Sequence, residues 1–98
     1  MDEMRLWLLV NAEIGKEDKL YESLTGIPGI TPYRVNSVYD FMVEINCCNP
    51  EDVADKYVKV RYCDGVHNIK SMMNETAMKS NVEIQKFIRE KEPKNPSN

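Results

Sequence analysis

Residues 5–11 carry a run of large apolar side chains, Leu6, Trp7, Leu8, Leu9 and Val10, and the run ends at a polar segment containing Gly15. A short, nearly continuous apolar stretch closed by a turn residue predicts a strand in the middle of a sheet. Over 16–24 the pattern changes: Leu20, Tyr21 and Leu24 recur at helical spacing, while Lys16, Glu17, Asp18, Lys19 and Glu22 form a wet face. That segment predicts a helix closed by Gly26 and Pro28. The tetrapeptide Ile27-Pro28-Gly29-Ile30 then places a φ-locked residue before one that tolerates positive φ, which punctuates the exit from a helix into a strand. Two strands follow, at 31–36 and 39–47, the second with Phe41, Val43 and Ile45 on one face and Met42, Glu44 and Asn46 on the other.

The same unit is then written again. Asn49-Pro50-Glu51-Asp52 supplies an N-cap, a proline at the first helical position and acids at the positive end of the dipole. The helix it opens spans 50–62, with Val53, Ala54, Tyr57 and Val60 as its buried stripe, and Gly65 in Cys63-Asp64-Gly65-Val66 marks the exit. A strand at 66–73 follows. A further helix is predicted over 81–91, where Ser80-Asn81-Val82-Glu83 matches a capping box and Ile84, Phe87 and Ile88 line one face.

The order β-α-β-β-α-β with an added C-terminal helix predicts a ferredoxin-like α+β fold. Right-handed crossovers place both helices on one face of a four-stranded antiparallel sheet ordered 4-1-3-2. The other face stays uncovered in a single chain. Trp7, Leu9, Met42 and Met72 cannot all be buried by two short helices, and a large apolar patch of this kind marks an association surface. The expectation is a homodimer packed sheet to sheet, a dimeric α/β barrel.

Composition narrows the class. With 98 residues and 42% apolar content the chain supports one modest core. A formal charge of −3 argues against direct nucleic-acid contact, which needs clustered Lys and Arg. The start, Met1-Asp2-Glu3-Met4-Arg5, is acidic where a secretory leader is basic, and the apolar run after it is too short to cross a membrane, so a cytoplasmic protein without membrane contact is expected. Cys47, Cys48 and Cys63 make an odd set with an adjacent pair, poor geometry for a disulfide framework, so reduced thiols are expected. Residues 92–98 hold two prolines and no apolar anchor and read as a disordered tail.

Several segments together resemble a known family. Leu6, Leu8, Leu9 and Val10, then Gly15-Lys16-Glu17-Asp18, the stretch from Leu24 to Ile30, Tyr33-Arg34-Val35, Tyr39-Asp40 and Gly65-Val66 resemble, in order and spacing, the effector-binding (RAM) domain of the Lrp/AsnC transcriptional regulators. The resemblance covers 4–73, leaving 74–91 as a connector and the C-terminal helix. It departs from the family in two places. The family normally carries a helix-turn-helix before this domain, whereas here the first strand begins at about residue five. The family's turn typically reads Gly-x-Tyr/Phe-Asp, whereas this chain has Ser37-Val38-Tyr39-Asp40. The resemblance implies a stand-alone sensor without its own DNA-reading helix. Such a sensor binds an amino acid or related metabolite, assembles as dimers and often as higher rings such as octamers, and admits co-assembly with full-length Lrp/AsnC regulators. No catalytic residue, metal or cofactor is implied.

In the β-α-β-β-α-β path the segments 11–15, 36–40 and 63–67 lie at one end of the sheet. The candidate ligand site is therefore Asn36, Ser37, Val38, Tyr39 and Asp40 with Val66 and His67. Asp40 can receive an α-ammonium through a charge-assisted bond, and backbone N–H groups near Ser37 and Val38, with the Ser37 hydroxyl, can take a carboxylate. Asp40 can equally cap the turn, as such residues often do. His67, the single histidine, follows Cys63 and Asp64, but a zinc site needs about four ligands. Cys47 and Cys48 lie at the other end of the sheet, separated from Cys63 by a helix of about 12 residues or ~18 Å. Glu44 and Glu51 near Cys47 and Cys48 raise thiol pKa, which disfavours a redox switch. Met72, Met73 and Met78 are expected in the core and at dimer contacts.

Two other functions fit the same residues. A dimeric α+β barrel enzyme of the small monooxygenase or isomerase type would use His67, Tyr33 or Tyr39. An assembly adaptor would dock the helix at 81–91 on a partner through Ile84, Phe87 and Ile88.

Overall fold

A computed structural model describes residues 3–93 of the chain. Its elements run β1 (Met4–Ala12), α1 (Glu17–Thr25), β2 (Ile30–Arg34), β3 (Phe41–Cys47), α2 (Pro50–Arg61), β4 (Val66–Met73), α3 (Glu75–Lys79) and α4 (Asn81–Lys91). The four strands form one antiparallel sheet in the order β2-β3-β1-β4, the expected order read from the other edge. The expected tail at 92–98 begins with Glu92, whose N–H closes α4 on the Ile88 carbonyl. Residues 94–98 lie outside the described residues.

Alternation along the two central strands divides the sheet into a dry face and an open one. Met4, Leu6, Leu8, Val10 and Ala12 of β1, and Phe41, Val43, Ile45 and Cys47 of β3, are buried toward the helices. They pack against Leu20 and Leu24 of α1 and Val53, Ala54, Val58 and Val60 of α2. Tyr21 is half-buried rather than fully inside, tilted against Phe41 at 5.6 Å between ring centroids, with the Arg34 guanidinium 4.3 Å above its own ring. Pro32 sits in β2, an edge strand, where a residue that cannot donate to the ladder is tolerated.

The C-terminal region departs from expectation in two respects. A short helix, α3, occupies the predicted connector. Asn74 starts it, its Oδ1 accepting from the Ala77 N–H at 3.0 Å. The same side chain accepts from the Arg5 N–H and donates to the Glu3 carbonyl, so it also ties the end of β4 to the start of β1. The predicted capping box of α4 does not form. Ser80 makes no side-chain cap because it also ends α3, donating its N–H to the Ala77 carbonyl, and the chain passes directly into α4. Ile84 and Ile88 of α4 are buried in this chain's own core, and Phe87 is half-buried on it. The apolar stripe that an adaptor would offer to a partner is thus already covered.

Two glycines carry the turns at the loop end. Gly65 has φ +98 and Gly15 has φ +89. A Cβ at Gly65 would also lie 3.3 Å from Lys16 Cβ, whereas one at Gly15 meets nothing within 4 Å. Gly15→Ala is expected to lose about 1 kcal/mol from backbone strain, and Gly65→Ala more than that, up to about 2 kcal/mol. Urea unfolding should show both midpoints lowered in that order with unchanged m values.

Candidate functional site at the loop end of the sheet

The loops after β1, between β2 and β3, and after α2 meet at one end of the sheet, and hydrogen bonds join them. The Glu13 N–H donates to the Gly65 carbonyl at 2.7 Å, tying the first loop to the third. Lys16 Nζ reaches Glu13 Oε2 at 3.2 Å and Asp64 Oδ1 at 3.3 Å. Hydrogen bonds to Glu13 and then to Asp64 hold its ammonium above the ordinary lysine range. All three groups are solvent-exposed, so this cluster sets local charge more than stability.

Asp40 joins the second loop to the first. Its carboxylate Oδ2 accepts from the Ala12 N–H at 2.9 Å, and its own N–H donates to the Val10 carbonyl at 3.0 Å and to Asn11 Oδ1 at 3.2 Å. Oδ2 therefore reaches across to β1 rather than to an N–H of its own turn, where the side-chain acceptor is the Ser37 hydroxyl. Oδ1 accepts no hydrogen bond among the described residues, and a carboxylate has room for several donors. This anchoring also explains why β3 starts at Phe41 and β2 stops at Arg34, short of the predicted limits. The backbone N–H of Asp40 turns to β1, and between the strands the Val35 N–H closes on the Asp40 carbonyl.

The other predicted residues occupy this same end. Ser37 Oγ accepts from the Tyr39 N–H at 3.0 Å, a local bond that closes the turn. Val38 at the tip is 85% exposed, Asn36 is exposed, and Tyr39 is half-buried. Val66 and His67 open β4 on the far side of β1. The structure brings Asp40 and Val66 to either side of Ala12, through the Asp40 hydrogen bond and the Ala12–Val66 pairing. His67 lines two shallow clefts, one of about 340 Å³ with Arg61, Val66, Asn68 and Ile69, the other of about 300 Å³ with Ala12, Glu13 and Ile14. Arg61 and Glu13 were not legible as site residues, since each reads as a wet-face charge until the loops are folded together. Tyr33 on β2 and His67 on β4 belong to opposite edges of the sheet, roughly 14 Å apart at three strand spacings.

Cys47 pairs with Met4 at the opposite end from Cys63. Burial is the first cause that pushes the Cys47 thiol up, with Asp52 adding to it and Lys56 opposing it, so desolvation rather than Glu44 or Glu51 governs this group. Burial also raises Cys63. Among the described residues no group of three or more His, Cys, Asp or Glu side chains is placed to hold a metal ion. No described helix is long and apolar enough to cross a membrane.

Removing the Asp40 carboxylate leaves the half-buried Ala12 N–H without its acceptor. Asp40→Ala should cost about 1–2 kcal/mol and speed exchange of the Ala12 amide, while Asp40→Asn, which keeps an acceptor oxygen, should retain most of that protection. Amide exchange followed by NMR reads both outcomes.

Neither a protein-family model nor a curated protein matches the sequence. Solved structures match the fold. The hypothetical protein PHS023 from Pyrococcus horikoshii superimposes with a TM-score of 0.63 at 23% identity, over 72% of this chain and 88% of that one. The protein FFRP-DM1 gives 0.64 at 23% identity, over 72% and 97%. AsnC of E. coli gives 0.66 at 9% identity, over 74% of this chain and 50% of its own length. The neighbours include proteins whose names place them among the AsnC-family transcriptional regulators. The resemblance carried by the sequence segments thus holds at the level of architecture: this chain has the ferredoxin-like α+β fold found in half of AsnC and throughout nearly all of FFRP-DM1.

Proposed function

We infer that this chain is a regulatory module of the Lrp/AsnC RAM type, which assembles through its open sheet face and senses an amino acid or related metabolite at the loop end. The observation that carries the reading is the helix-free face of the sheet. Trp7 and Leu9 of β1 and Met42 of β3 are half-buried there, Met72 of β4 is 48% exposed and Tyr33 of β2 is 42% exposed. Cross-strand pairing sets Trp7 between Glu44 and Met72, and Leu9 between Met42 and Lys70, so the apolar groups are contiguous. A patch of that kind on a chain of this size favours association with a second copy over exposure to water. Of the three methionines expected in the core and at dimer contacts, Met73 packs on the core, Met72 belongs to this open face, and Met78 stands exposed on α3.

The ligand reading rests on the Asn36, Ser37, Val38, Tyr39 and Asp40 turn with Val66 and His67. Asp40 Oδ1 is the anchor for an α-ammonium, and its Oδ2 bond to Ala12 holds the carboxylate in place. Assembly beyond the dimer and co-assembly with full-length regulators belong to the same reading, as does the absence of catalysis. The enzymatic alternative gains little from the geometry, because Tyr33 and His67 lie on opposite edges within one chain.

Light scattering is expected to give at least twice the chain mass, falling to the monomer for Trp7→Glu, which places a charge in the centre of the face. A monomeric wild type would remove the assembly half of the reading. Titration calorimetry over the common amino acids is expected to find a ligand whose binding weakens about tenfold or more in Asp40→Asn. No binding and no change in mass with any amino acid would remove the sensing half.

A further inference from the structure

The β4 edge holds an arrangement centred on Arg61, which neither the sheet-face contact nor the Asp40 turn uses. Pairing between β1 and β4 slips at one point: Asn11 faces Asn68 but Ala12 faces Val66, so His67 is an extra residue without a partner on β1. Bulges of this kind occur at sheet edges and beside functional sites because they re-aim a side chain. Here the re-aimed residue is the chain's single histidine, and it lines both clefts at the loop end.

The larger cleft gathers donors without acids. Arg61, His67 and Asn68 supply guanidinium, imidazole and carboxamide around the apolar Val66 and Ile69, and no carboxylate residue lines it. Arg61 is steadied by Tyr57, to whose Oη its Nη1 donates at 3.1 Å, which uses one of five N–H donors. Arg61 makes no salt bridge among the described residues. The acids of the neighbouring loops, Glu13 and Asp64, are both tied to Lys16. Lys16 offsets one of those two charges, and Glu92, which accepts from the Tyr62 hydroxyl at 2.8 Å, also acts on Arg61. The cleft thus presents a guanidinium with no carboxylate in its own lining.

We propose that Arg61 and His67 form a binding subsite for an oxyanion, a carboxylate or phosphate group of a small metabolite, at the bulged edge of β4. The guanidinium takes two oxygens in a fork, the imidazole and the Asn68 carboxamide supply further N–H donors, and Val66 and Ile69 receive the carbon skeleton. The subsite shares Val66 and His67 with the ligand reading above and adds Arg61 and Asn68; because it needs neither a second copy of the chain nor Asp40, its test is independent of the amino-acid titration.

The test uses the full chain, with the imidazole proton resonances of the single histidine followed by NMR at constant ionic strength. Sodium acetate and inorganic phosphate are titrated in separate arms, with sodium chloride as the control. Saturable shifts are expected with acetate, with phosphate or with both. Acetate alone identifies a carboxylate subsite and phosphate alone a phosphate subsite. Affinity should fall about tenfold in Arg61→Gln, and by less in Arg61→Lys, which keeps the charge and loses the fork. Both side chains are exposed, so the variants should fold, and an unchanged light-scattering mass checks that assembly is intact. Shifts that rise linearly as in chloride, or that saturate equally in Arg61→Gln, overturn the proposal. A failed amino-acid titration leaves these outcomes unaffected.

Discussion

The alternation of β1 is the constraint on which the rest of the molecule depends. Every even position from Met4 to Ala12 is buried among the helices, and the odd positions Trp7 and Leu9 stand on the other face at the centre of the sheet. A one-residue slip of this strand would exchange the two sets and bury Arg5 and Asn11 in the core, at a cost of several kcal/mol per unpaired charge. Register is therefore fixed by the core alone. The composition of the open face follows from it, because what the core does not take from β1 must be displayed.

Fixing β1 also fixes the loop end. Three successive residues at its end hold the second loop: Val10 through its carbonyl, Asn11 through Oδ1 and Ala12 through its N–H, all on Asp40. The next residue, Glu13, holds the third loop through Gly65. Loops joined in this way to a central strand keep their side chains at set distances without a large hydrophobic contribution of their own, the condition a binding site on loops requires.

What was legible in the sequence was what periodicity and turn chemistry control. Leu20 and Leu24, Phe41, Val43 and Ile45, and the Asn49 cap with Pro50 each sit where their spacing or identity places them. The convergence of the three loops was legible because it is a property of the topology. Details that depend on a partner far along the chain were not. Asn74 reads as an ordinary linker residue, yet its side chain both caps α3 and reaches Glu3 and Arg5. Ser80 has a capping-box sequence, but that geometry needs a non-helical residue before the helix, and α3 supplies a helical turn in its place. The bulge at His67 leaves no trace in local composition, since it arises from a mismatch between β1 and β4 rather than from either strand alone.

The position of α4 settles which surface remains for association. Had Ile84, Phe87 and Ile88 faced outward, the chain would offer two apolar surfaces, one on each side of the sheet. Because they pack into the same layer as α2, that stripe is covered, and the sheet face is a contiguous apolar surface left open beside the single exposed residues Ile14, Val38, Met78 and Val82. The clefts lined by His67 lie at the β4 edge of that face, at the loop end of the sheet. Face and edge are contiguous. Asn11 and Asn68 pair on the open face, Asn11 also binds Asp40, and Asn68 lines the cleft with Arg61. A ligand at the loop end alters assembly only if it interacts differently with the associated and free forms, and this row of two asparagines is the place where one group can touch both surfaces.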